Sequence, residues 1–194
     1  MRTKEEIRSH YIKKREELGE LGRRQLSRQI ADQAKRYLSE NGWIEHVHIF
    51  LPIEKLDEIN TWSIIQELFN LQKQVYTSVT DFDSKVMRTV SLDIHSEFTT
   101  DKFGLPIPLH PLFTGEEQQL DLVFVPLLAF DLNGVRVGYG KGFYDQFFAS
   151  VKGVVRKIGL SYFPAADFLP GEDHDVLLDG CILPDQSIIF TNNR

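Results

Sequence analysis

The sequence predicts a single α/β domain spanning residues 1–194, and three observations carry the prediction. The chain opens with two stretches of helical periodicity. Residues 120–125 are apolar on both alternating faces, as a central parallel strand covered on each side would be. A strand, a glycine-rich loop, a helix and a second strand then follow one another between residues 120 and 160, the order of a βαβ unit with a right-handed crossover.

In chain order, residues 3–19 and 23–40 read as helices separated by Gly19 and Gly22, giving an N-terminal helical hairpin. The second helix carries Leu26, Ile30, Ala34, Tyr37 and Leu38 on one stripe and stops near Asn41-Gly42. Val47 to Leu51 is a short strand ended by Pro52, and Thr61 to Leu71 is helical with Thr61 as N-cap. Gln74 to Val79 and Val86 to Leu92 flank the turn composition Asp81-Phe82-Asp83-Ser84 and form a hairpin, neither strand having the pattern of a buried parallel one. Residues 99–118 contain Pro106, Pro108 and Pro111 without periodicity; a loop of that length is commonly functional or mobile, which makes it a candidate substrate loop. Phe143, Tyr144, Phe147, Phe148 and Val151 stand at helical spacing, and Val155 to Leu160 is the closing strand. No internal repeat, low-complexity segment or linker divides the chain.

Composition narrows the function classes. A chain of 194 residues with 42% hydrophobic content buries roughly 70% of its unfolded surface and needs no covalent staples. Cys181 stands alone, so an intrachain disulfide is excluded and a reducing, cytoplasmic setting is expected. The amino terminus is charged from its second residue, and the longest apolar run, the nine residues Leu122 to Phe130, is broken by Pro126, whereas a membrane helix needs about 20. A soluble protein without a membrane partner is expected. A net charge of −6 disfavours a general nucleic-acid binder. Half of the 22 basic residues nevertheless fall in residues 1–36. Most of them read as solvated helix faces paired with Glu5, Glu6, Glu16, Glu17 and Glu20, leaving one or two to face a phosphate.

The glycine loop is the most informative segment. Gly138, Gly140 and Gly142 alternate between a buried strand and a helix start, where backbone N–H groups are unpaired and an anion fits, and Lys141 adds a cation to the same loop. Neither common phosphate motif matches, since Phe143 replaces the third glycine of a dinucleotide fingerprint, and Val135 and Gly142 replace the P-loop glycine and hydroxyl. A purely structural glycine turn is the bland alternative. Asp131 opens the tight turn Asp131-Leu132-Asn133-Gly134 and reads as a local hydrogen-bonding residue. Asp145 falls in the first turn of the next helix, where it either complements the macrodipole or offers a carboxylate to Mg²⁺. Near the carboxyl end Glu172, Asp173, His174, Asp175 and Asp179 form an acidic group that is either solvated or metal-binding, and His46 and His48, alternating on a strand, suggest packing.

With those residues in hand, the sequence resembles the 5-formyltetrahydrofolate cyclo-ligase family, also called 5,10-methenyltetrahydrofolate synthetases, over nearly its whole length. The resemblance rests on VPLLAFD at 125–131, GVRVGYGKGFYD at 134–145 and HDVLLD at 174–179. Lys4 and Arg8 on the first helix, and Pro52, Glu58 and Thr61 after the first strand, agree in order and spacing. Two positions depart: Phe143 stands where the family often has Tyr, and Ile107 where it often has Glu or Gln.

The resemblance implies a NagB-like Rossmann-type fold with a mostly parallel sheet flanked by helices, ATP and Mg²⁺ as co-substrate and cofactor, a folate substrate, and a cytoplasmic monomer or weak homo-oligomer. It implies that Lys4, Arg8 and the run Arg136, Val137, Gly138, Tyr139, Gly140, Lys141, Gly142, Phe143 and Tyr144 hold ATP. Glu58 and Ile53, with Tyr139 to Gly142, would touch the folate; Asp145 and Asp175 would sit near Mg²⁺; Lys141, Arg136 and Tyr144 would be catalytic. The chemistry expected is phosphorylation of the N-formyl oxygen followed by ring closure, with no protein nucleophile. Two rivals are a phosphate-ester enzyme of the same fold class, such as a sugar-phosphate isomerase, and a non-catalytic folate- or nucleotide-binding module.

Overall fold

The computed structural model describes residues 2–84, 86–115, 119–151, 153–172 and 175–190. Thr3 and Glu6 cap helix α1 (Lys4–Glu17) reciprocally, Thr3 Oγ1 accepting from the Glu6 N–H at 3.2 Å and Glu6 Oε2 from the Thr3 N–H at 2.8 Å. The helical pair turns at Leu18, and Gly19, at φ +63°, already begins α2 (Gly19–Glu40). Gly22 therefore lies inside the second helix, because one glycine in the left-handed region suffices to redirect the chain. The other helices are α3 (Trp62–Asn70) and α4 (Phe143–Ser150). Thr61 sits at the N-cap position of α3 without capping it: its buried hydroxyl donates to the Phe50 carbonyl at 2.7 Å, and Asn60 Oδ1 accepts the Trp62 N–H instead.

The strands are β1 (His46–His48), β2 (Gln74–Asp81), β3 (Val86–Leu92), β4 (Phe98–Thr100), β5 (Pro106–Pro108), β6 (Leu112–Phe113), β7 (Leu122–Pro126), β8 (Ala129–Phe130), β9 (Arg136–Val137), β10 (Arg156–Leu160), β11 (Gly180–Ile182) and β12 (Ser187–Ile189). Eight of them form the main sheet in the order β12-β11-β10-β7-β1-β2-β3-β6, parallel from β11 through β2 and antiparallel at both edges. The β2–β3 hairpin is present, yet β2 also pairs in parallel with β1 and buries Val75, Tyr76 and Thr77. The hairpin reading missed this because only the first half of β2 is covered; the second half runs out of the core and looks like an edge strand. Residues 99–115 are less irregular than their prolines suggest, since β4 pairs with β5 and β6 pairs with β3. Positions 116–118 lie outside the described residues.

Strand β7 shows why the sheet forms where it does. Leu122 and Phe124 join Ile30, Leu38, Ile64 and Leu68 of α2 and α3 in one core, while Val123 and Val125 join Phe147 and Phe148 of α4 in another. All four strand side chains are completely buried, each worth about 1.5–3 kcal/mol relative to exposure. The chain leaves β1 toward β2 on one side and leaves β7 toward β10 on the other. The strand order thus reverses between β1 and β7, and a crevice opens beyond their carboxyl ends at such a point. No helix among the described residues is long and apolar enough to cross a membrane.

Candidate active site

That crevice is a cleft of about 450 Å³, within the range of small-molecule sites. Its walls are the segments that follow β1, β7 and β10, the β2–β3 hairpin, the stretch 101–107 and one face of α1.

The segment after β7 is built from Asp131. Its fully buried carboxylate accepts the N–H groups of Asn133 and Val135, both at 3.0 Å, and of Leu169 at 3.1 Å, which is the local role its turn sequence predicts. The β8–β9 hairpin closed in this way delivers Gly138 to Gly142 to the cleft. Gly140, at φ +83°, lies so close to α1 that a Cβ there would come within 2.9 Å of the Arg8 guanidinium carbon. The bare backbone lets Arg8 Nε donate to the Gly138 carbonyl at 3.0 Å. Gly142 occupies the N-cap of α4 at φ +71° and brings no side-chain acceptor to the first turn. Lys141 is exposed on the rim and makes no ion pair among the described residues.

Two cation–carboxylate pairs flank the loop. Arg136 Nη2 meets Asp145 Oδ1 at 2.7 Å, and the same oxygen accepts the Val176 N–H at 3.2 Å, which brings Asp145 beside the segment carrying Asp175. Lys4 Nζ meets Asp175 Oδ2 at 2.8 Å and Glu172 at 3.0 Å. Desolvation lowers the proton affinity of Lys4, but its bonds to Asp175 and Glu172 outweigh that and leave its pKa raised. The acidic carboxyl-terminal group is therefore engaged in part with α1; Asp173 and His174 lie outside the described residues.

The opposite wall is mostly apolar. Phe50, Leu51, Ile53, Leu56 and Ile107 line it, and Glu58 Oε2 accepts the Ile53 N–H at 2.9 Å. Desolvation pushes the Glu58 carboxyl up to about 7, against the Ile53 N–H, the Arg15 charge and the Tyr139 hydroxyl, which favour its ionised form. Burial also pushes the Tyr139 and Tyr144 phenols well above the usual range. His48 is fully buried beside the cleft and shares a 2.7 Å hydrogen bond between Nε2 and Ser78 Oγ; burial lowers its pKa to about 3, so its imidazole is neutral. His46 bonds the Tyr76 hydroxyl at 3.0 Å, so both histidines serve packing and local hydrogen bonding. Phe143 packs its ring on Phe82 at the β2–β3 turn, 5.5 Å between centroids, and Phe82 packs on Phe103 at 4.8 Å. This aromatic contact joins the loop to the β2–β3 turn across the rim.

The comparisons with known proteins agree with this architecture. Residues 1–184 match the model of the 5-formyltetrahydrofolate cyclo-ligase family. The chain belongs to that family. A probable 5-formyltetrahydrofolate cyclo-ligase of Caenorhabditis elegans is 27% identical over 186 residues, 89% of this chain and 90% of that protein. The 5-formyltetrahydrofolate cyclo-ligase of Mycoplasma pneumoniae is 26% identical, covering 91% of this chain and 95% of its own. Among solved structures, the Aquifex aeolicus 5,10-methenyltetrahydrofolate synthetase superposes with a TM-score of 0.81 at 26% identity, over 98% of this chain and 94% of that one.

Every residue to which the family resemblance assigns a site role lines this cleft, from Lys4 and Arg8 through Ile53, Glu58 and the loop 136–144 to Asp145 and Asp175, whereas Pro52 and Thr61 do not. Sequence reasoning missed Arg15, which is only 3% exposed and reaches the cleft wall behind Tyr139. The signal was present: Lys4, Arg8 and Arg15 recur at intervals of four and seven, one face of a helix. A Mg²⁺ ion commonly takes one or two protein carboxylates and fills its remaining positions with phosphate and water. Asp145 and Asp175, brought together where Asp145 accepts the Val176 N–H, fit that donor set.

The environment of Glu58 has a consequence for stability. A carboxyl raised from 4.5 to about 7 favours the folded state fully below its unfolded value and loses that contribution as pH climbs to about 7. Glu58→Gln imitates the protonated acid. Its melting temperature relative to the parent should therefore rise between pH 5 and pH 8; equal differences at both values would show that Glu58 titrates in the ordinary carboxylate range.

Proposed function

We propose that this cleft binds ATP and 5-formyltetrahydrofolate together and converts them to 5,10-methenyltetrahydrofolate, ADP and phosphate. The observation that carries the reading is that a cation-lined glycine loop and a mostly apolar wall bearing Glu58 face one shared cleft. A triphosphate suits the first and a fused aromatic ring the second. Family membership supports the choice of substrates, and the relatives' names describe the same ligation.

In this reading Lys4, Arg8 and Arg136 attract the triphosphate, the N–H groups of the glycine loop and of the first turn of α4 surround it, and Lys141 swings from the rim onto the reacting phosphate. Asp145 and Asp175 hold Mg²⁺, which supplies charge neutralisation on the triphosphate. Glu58 accepts N–H donors of the folate ring, and Ile53 and Ile107 pack on its faces. The formyl oxygen attacks the γ-phosphorus and ADP leaves, giving an O-phosphorylated iminium carbon. The neighbouring folate amine adds to that carbon and loses its proton, and the carbon–oxygen bond breaks to expel phosphate. An amide oxygen is a poor leaving group until it carries the phosphoryl group, which is why ATP is spent. The protein's contribution is electrostatic and positional, since a phosphoryl transfer gains little from covalent help. Tyr144, half-buried beside the loop, keeps its proton and serves as a neutral wall and donor.

The test is the absorbance of the methenyl product when purified protein receives 5-formyltetrahydrofolate, Mg²⁺ and ATP. Product should form with all three, stop in excess EDTA and resume on adding Mg²⁺. Product without ATP, or full turnover in EDTA, would contradict the reading. Lys141→Ala should lower kcat/KM for ATP by roughly 10- to 150-fold, the loss of one hydrogen bond to a charged group, and nearer the low end because Arg8 and Arg136 share the load. Its melting temperature should hardly change, as befits an exposed side chain. Unchanged kinetics would remove Lys141 from the phosphate site.

A further inference from the structure

The proposed ligation leaves unexplained why a guanidinium is buried behind the folate-side wall. Arg15 makes no ion pair among the described residues, and its Nε is buried without a hydrogen-bond partner. Instead Nη1 donates to the Tyr139 hydroxyl at 2.6 Å and to the Leu56 carbonyl at 3.3 Å, and Nη2 donates to the Leu127 carbonyl. Those three partners belong to three different parts of the wall: the glycine loop, the segment two residues before Glu58, and the chain just past β7. A guanidinium can only donate, so the Tyr139 oxygen must accept, and its own proton is directed away from Arg15. It is shared with the Glu58 carboxylate.

We propose that Arg15 is a positioning residue for Glu58: through the Tyr139 hydroxyl it fixes the direction in which that carboxylate faces the N–H donors of the folate ring. The inference rests on the folate reading above and extends it to a residue that touches no substrate. The charged and titratable groups around Glu58 are Arg15 from α1, Tyr139 from the glycine loop, Tyr144 from α4, Tyr162 from the segment after β10, and Asp57, which is neutralised by Arg23 of α2 at 2.8 Å. Tyr144 and Tyr162 stay neutral, since burial raises both phenols. Tyr162 bonds the Glu58 backbone carbonyl at 3.0 Å. Arg15 and Tyr139 therefore remain as the side chains that oppose desolvation of the Glu58 carboxylate.

The experiment is a carbon-13 NMR titration of the Glu58 carboxyl in the intact ligand-free protein, assigned by its loss in Glu58→Gln. The parent midpoint is expected near 7. Tyr139→Phe, which removes one oxygen and leaves the ring, should raise the midpoint by about one pH unit, as the loss of a hydrogen bond to a charged acceptor requires. Arg15→Gln should raise it as well, Arg15→Lys should restore it in part, and the Arg15→Gln/Tyr139→Phe pair should raise it by less than the sum of the two. In turnover, the same variants should raise the folate KM more than they lower kcat, and increasingly so toward low pH. An unchanged midpoint in Tyr139→Phe overturns the proposal even if Arg15→Gln does not fold, because a purely structural arginine would alter stability without moving that titration. If the midpoint moves while no methenyl product forms, the coupling stands and the folate reading falls.

Discussion

Strand β7 is buried on both faces, and that constraint organises the rest of the molecule. With Leu122 and Phe124 committed to one core and Val123 and Val125 to the other, the central strand itself has no position for a polar side chain. Chemistry is displaced to the segments beyond the carboxyl ends of β1, β7 and β10, which stand side by side. Glu58 follows β1, the glycine loop follows β7 and Asp175 follows β10. Three regions far apart in sequence are thereby gathered at the place where the strand order reverses, the usual seat of a ligand in an open α/β sheet.

Helix α1 supplies what the sheet cannot. Its capping box fixes where it begins, and one face then carries Lys4 and Arg8 into the cleft and Arg15 behind its wall. Each cation meets a different kind of partner: a carboxylate for Lys4, a loop carbonyl for Arg8, and a hydroxyl with two carbonyls for Arg15. Polarity grades along the helix from exchangeable ion pairs near its amino-terminal end to a desolvated guanidinium behind the cleft wall. In the proposed ligation that gradient matches the substrates, since a triphosphate brings charge to be matched and a fused ring asks for hydrogen-bond direction.

The sequence made the central unit legible because β7, the glycine loop and α4 each have strong local signals: a doubly apolar run, alternating glycines and aromatic residues at helical spacing. Elements whose character depends on distant partners were harder to read. The parallel pairing of β2 with β1 is invisible locally, because the hairpin turn dominates the pattern around it. Thr61 has the composition of an N-cap, but its hydroxyl is taken by the Phe50 carbonyl across the core. Arg15 lies among ten other basic residues of the first 36 and looks like surface charge until the fold buries it. The family motifs brought the cleft residues together by name; only the fold shows which of them touch, and that Phe143 packs on Phe82.

The central claim is that one cleft brings the terminal phosphate of ATP onto the formyl oxygen of the folate, and the fate of that oxygen tests it most directly. 5-Formyltetrahydrofolate labelled with oxygen-18 in the formyl group should be turned over with unlabelled ATP and Mg²⁺, and the inorganic phosphate recovered for mass spectrometry. The account predicts one labelled oxygen in each phosphate released. Unlabelled phosphate, with the oxygen-18 appearing in water or formate, would mean that ATP is hydrolysed apart from the folate and that the two ligands do not react within this cleft.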